Sequence, residues 1–143
     1  MPKAYKTELA SAERSCALFN YVEEGLIPSI LEVGQVELAE KIKAYSQPLK
    51  NKGLRDRIST HFRRGWSVVS ELEERRDFFL RQLSILQPEE KMLIKKFAKA
   101  DLKEVQRKLE SEDYYSCRTG KNLFSPEKLK ESALCYIVHD VPD

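Results

Sequence analysis

The residues best suited to chemistry lie between Lys91 and Lys108, KMLIKKFAKADLKEVQRK, where Lys91, Lys95, Lys99, Lys103 and Arg107 recur at every fourth position with Lys96 beside them. Leu93, Ile94, Phe97, Ala98 and Val105 fall on the other side of the same helical repeat. A helical residue turns by about 100° and rises about 1.5 Å, so four-residue steps predict a slowly turning basic stripe with a charge roughly every 6 Å. That stripe suits a phosphate backbone; a solvated face or a surface for an acidic protein are the other readings. A second basic segment, Lys50 to Arg64, sets Lys50, Lys52, Arg55, Arg57, Arg63 and Arg64 against Asp56 alone. Within it Leu54, Ile58, Phe62 and Trp66 form an apolar row, and Arg57, His61 and Arg64 flank that row. Arginine binds phosphate through a planar fork and lysine as a point charge, so a site using both can hold a backbone without reading bases. Trp66 offers a stacking surface, but its place in the apolar row predicts burial.

Other reactive side chains do not assemble into a motif. A catalytic cysteine or serine needs a base within reach, and the two histidines stand apart, His61 beside arginines and His139 near the C-terminus. Cys117 follows Tyr115 in a segment read as a loop, which makes it the cysteine expected to be exposed. Cys16, Cys117 and Cys135 are odd in number, widely spaced and without a CxxC pair, as expected of reduced thiols in a cytoplasmic protein. No HExxH, EF-hand loop, P-loop or GxGxxG occurs. The expectation is therefore no catalytic residue, no metal and no cofactor.

The elements that would carry the basic residues are helices. Charged residues make up 34% and apolar residues 41%, with five glycines and six prolines among 143 residues, a balance that favours amphipathic helices over strands and turns. From about Tyr5 to Glu24, Leu9, Ala12, Cys16, Phe19 and Val22 follow helical spacing, and Gly25 is read as the C-terminal cap. Pro28 then opens a second helix with Ile27, Ile30, Leu31, Leu38 and Ile42 inward; Gly34 either lies within it or splits it in two. Residues 46–53 read as a loop. Leu54 to Leu86 reads as a long central helix, with Leu72, Phe79, Leu80 and Leu83 inward and a possible kink at Gly65. Its run Glu71 to Asp77 mixes charge signs and reads as solvated surface. Pro88-Glu89-Glu90 starts the helix that carries the stripe, with a possible restart at Leu102, and residues 112–125 read as a loop. Ser125-Pro126-Glu127 begins a last helix to about Val138, followed by an acidic tail. The expected fold is all-α, one helical bundle of about five helices over residues 1–143. No apolar run nears the ~20 residues of a membrane helix, and the N-terminus lacks a signal-peptide core.

Five helices in this length, two basic surfaces and no catalytic set resemble the small subunits of CRISPR effector complexes. The resemblance covers size, helical pattern and charge layout and carries no diagnostic motif. It implies a helical bundle that packs beside other protein subunits, including copies of itself, and contacts the backbone of a guide-target duplex or a displaced DNA strand. The contacts would fall on Arg55, Arg57, Arg63 and Arg64 and on Lys95, Lys96, Lys99, Lys103 and Arg107, with Lys50, Lys52 and Lys91 extending the two basic segments. A net charge of only +2 departs from what such a role suggests, because acidic flanks offset the basic middle. The alternative is a helical adaptor that docks a protein through an exposed apolar groove and touches no nucleic acid.

Overall fold

Gly25 is a packing residue and not a helix end. In the computed structural model, which describes residues 3–50, 62–119 and 126–142, with side chains over 11–50, 70–111 and 126–142, α1 (Lys3–Tyr21) passes through one π turn (Val22–Leu26) straight into α2 (Ile27–Glu32). A Cβ at Gly25 would stand 3.1 Å from the ring of Tyr21, one turn earlier, so glycine lets that ring lie against the backbone. The rod ends instead at Gly34, whose φ of 82° is left-handed. There Gly34 N–H donates to the Leu31 carbonyl and Gln35 N–H to the Ile30 carbonyl, the paired bonds of a Schellman cap. Of the two readings of the second helix, the split one holds.

After this cap α3 (Val36–Ser46) ends in a 3₁₀ turn over Gln47–Leu49, so part of the expected loop is helical. The expected start of the central helix at Leu54 lies outside the described residues. Its described part, α4 (Phe62–Ser84), runs through Gly65 as helix and buries Leu72, Phe79, Leu80 and Leu83. Ile85 to Gln87 turn the chain into α5 (Pro88–Thr119), where the Glu90 carboxylate accepts a bond from Gln87 N–H at 3.1 Å, half of a capping box. α5 neither restarts at Leu102 nor ends at 112. It is helical to Thr119, which corrects the loop reading for 112–119. α6 (Pro126–Cys135) continues as a π turn, Tyr136–Asp140.

These elements form an all-α bundle of five rods, and no strand occurs among the described residues. α6 packs against both α1 and α5, while α4 packs against α1 and α3. Two side-chain bonds set the direction of the rods. Tyr21 O–H donates to Asp101 at 2.5 Å, and Lys41 on α3 pairs with Glu90 at 3.4 Å. α2 touches α5, and only an antiparallel course from Tyr21 toward Glu32 and from Asp101 back toward Glu90 brings α3 to Glu90. The α2–α3 turn and the α4–α5 turn therefore share one end of the bundle.

Two sequence expectations fail through burial. Leu31 is 47% exposed rather than inward, because it points about 100° around the helix from Ile30, which takes the core position. The short acidic tail after the last helix is not all surface: Val141 is buried in the core beside α5.

Candidate nucleic-acid interface

α5 faces the core with Ile94, Ala98, Leu102, Val105 and Leu109, all buried. The four-residue ladder of cations does not stay clear of that face. Each four-residue step advances about 40° around the helix, so from Lys91 to Arg107 the ladder sweeps about 160°. Its first members start on the core side. Lys91 is half-buried, and Lys95 is 6% exposed, with its ammonium donating to the Val141 carbonyl at 2.7 Å. A continuous exposed stripe is thus corrected at Lys95, which ties the C-terminal segment to α5. A buried ammonium is tolerated only when hydrogen-bonded, and that bond supplies the need.

The exposed row is Lys96, Lys99, Lys103 and Arg107. It lies on an arc of about 80° and extends about 16 Å along the axis. None of the four makes an ion pair with a described residue. Of the two acids of the stretch, Asp101 accepts the Tyr21 hydroxyl, while Glu104 is exposed about 100° from Lys103 and about 60° from Arg107 one turn on. A recess of about 1030 Å³ adjoins this face, and its lining includes Met92, Lys96, Lys99, Ala100 and Lys103 together with Lys91, Lys95 and one acid, Glu89. Met92, 72% exposed, was absent from the sequence-based site, and its only sequence signal is its place one turn before Lys96.

The other basic segment is not joined to this row by any described contact. Lys50 is exposed at the end of the 3₁₀ turn, in a recess of about 280 Å³ between the first rod and α3, with Lys43, Gln47 and Glu23. Arg63 and Arg64 lie in the first turn of α4, and their side chains are outside the described residues, as are Lys52, Arg55, Arg57 and His61.

The two described thiols are shifted away from the reactive form. Burial, with Glu13 nearby, pushes the Cys16 thiol up to about 11, and burial pushes Cys135 up as well. A nucleophilic cysteine needs the opposite shift. Burial and the bond to Asp101 raise the Tyr21 hydroxyl, so it stays a donor. Cys16 borders a recess of about 590 Å³ between α1 and α6, with Glu13, Asn20, Glu24 and Lys130. Among the described residues no cluster of His, Cys, Asp and Glu has the arrangement of a metal site, and no helix is long and apolar enough to cross a membrane. His139 is exposed on the C-terminal π turn. No family model matches the chain, and neither a curated protein nor a solved structure is similar to it.

Proposed function

We propose that this chain is a non-catalytic helical subunit that holds a nucleic-acid backbone against α5, within a larger ribonucleoprotein assembly of the kind that CRISPR small subunits serve. One observation carries the reading: Lys96, Lys99, Lys103 and Arg107 form an exposed row that makes no ion pair with a described residue. Fixed cations on a rigid helix displace the counterions condensed on a polyanion, and the released ions drive binding. Arg107 adds forked contacts to a phosphate. With no base-reading constellation in the row, the grip is independent of sequence.

The test is binding of the purified chain to labelled single- and double-stranded DNA and RNA over a salt series. Four phosphate contacts give a slope of log affinity against log salt of about −3.6 on duplex. The variant Lys96→Gln/Lys99→Gln/Lys103→Gln leaves Arg107 and should flatten that slope to about −0.9. Absence of binding at low salt, or an unchanged slope in the folded variant, overturns the proposal.

A further inference from the structure

We infer that the end of the bundle bearing the α2–α3 and α4–α5 turns is a docking surface for a protein segment whose apolar row is bordered by lysine or arginine. The large apolar side chains left exposed among the described residues are Leu31, Val33, Val36, Phe78, Ile85 and Met92. They are not scattered. Leu31, Val33 and Val36 surround the α2–α3 turn; Ile85, 76% exposed, forms the α4–α5 turn; Met92 lies in the second turn of α5. Phe78 stands only about 9 Å back along α4 from its C-terminus. Both turns share one end of the bundle, so the exposed apolar surface is concentrated there. Isolated exposed apolar residues are ordinary, whereas a gathered group marks a surface that meets another molecule.

Charge selects the occupant. Glu32, Glu37, Glu40 and Glu89 are exposed around this end, and Glu90 adds a fifth acid. Against these five acids stand four bases, of which Lys41 is paired with Glu90, Lys91 is half-buried, Arg81 lies a turn back on α4 and Lys96 a turn past Met92. An acidic rim around an apolar centre attracts a partner with the reverse arrangement and repels an acidic one. The same face of a second copy is disfavoured for that reason, since an isologous contact sets acid against acid. Met92 also borders the cationic row of α5, whereas Leu31, Val33, Val36 and Ile85 lie outside its lining, so the inference does not depend on nucleic-acid binding.

The probe is a fluorescein-labelled 18-residue amphipathic helix of leucine and lysine, with a leucine-glutamate counterpart, measured by anisotropy on the full chain at physiological salt. The leucine-lysine helix should bind saturably and the leucine-glutamate helix should not. Leu31→Ser/Val33→Ser/Val36→Ser should weaken binding by about tenfold or more while leaving every charge in place. Ile85→Ser, from the other turn, should weaken it as well, and the glutamine variant of the α5 row should not. Equal binding of the two peptides, or unchanged binding in both serine variants, overturns the proposal. So does concentration-dependent self-association in sedimentation that the serine variants abolish, which would make a second copy the occupant.

Discussion

The charged run of α4, Glu71 to Asp77, and the cationic row of α5 differ in how their charges are used. On α4, Glu73 accepts the Ser11 hydroxyl of α1 at 2.8 Å, and Arg75 donates to the Pro48 carbonyl at 3.0 Å while pairing with Glu71. Arg76 lies over the Tyr136 ring, 4.5 Å from its centroid, and donates to that residue's hydroxyl at 3.1 Å. Its Nε is buried without a hydrogen bond and 3.8 Å from Asp77. This run, expected to be solvated surface, helps tie α4 to α1, to the end of α3 and to the C-terminal π turn. On α5, by contrast, Lys96, Lys99, Lys103 and Arg107 reach solvent without an ion-pair partner among the described residues. A charge committed to the fold is a poor handle for a ligand, because binding must first break its contacts. Charge density alone does not distinguish the two situations.

Lys95 belongs with the committed charges although it sits in the basic stretch, and it provides the strongest way to break the comparison. Lys95→Glu removes the bond to Val141 and buries an acid beside a carbonyl, which should cost about 3–5 kcal/mol in a denaturant titration. A loss under about 1 kcal/mol would return Lys95 to the free row. Next in size is the free row itself: four contacts weaken duplex binding about 150-fold between 50 and 200 mM salt, and the triple glutamine variant should lose most of that dependence without losing stability. Arg76→Ala removes a cation–π contact and a hydrogen bond, an expected loss of about 1–2 kcal/mol, moderated by deletion of the unsatisfied Nε. A neutral result would show α4 to be as weakly committed as α5. Arg75→Ala removes exposed contacts only, and thermal unfolding should register no more than about 0.5 kcal/mol.

A pH titration sharpens the picture of the half-buried Cys16 thiol. The Cys16 thiol has a folded value of about 11 against an ordinary 9.0, so the folded state holds its proton more tightly. Its contribution to stability is complete below about pH 9 and is lost as pH rises toward about 11. Cys16→Ala should therefore show a shallower alkaline decline than the parent, and alkylation of Cys16 should stay slow at pH 8.

Much of the helical pattern was legible from spacing. The inward positions Leu72, Phe79, Leu80 and Leu83 of α4 are buried where the 3.6-residue repeat put them, whereas on the last helix, of Leu129, Ala133, Tyr136 and Ile137, only Ala133 and Ile137 are fully buried. Glycine was harder to read, since Gly25 and Gly34 look alike in sequence yet one makes room for a ring and the other takes a left-handed backbone. The burial of Lys95 did leave a trace: it stands seven and fourteen residues before Leu102 and Leu109, which are both buried. That trace was overridden by the more conspicuous four-residue ladder.

By itself, then, the sequence determined the all-α class, most of the inward faces and a basic stretch on the helix that became α5, because periodicity and local charge depend only on positions along one helix. The tertiary structure alone decided which charges stay free. Whether a side chain meets solvent, a carbonyl or an aromatic ring depends on neighbours remote in sequence, as Val141 is from Lys95 and Tyr136 from Arg76. The gathering of exposed apolar residues at one end was likewise invisible in the chain, because only the antiparallel packing of the first rod on α5 brings the two turns to that end.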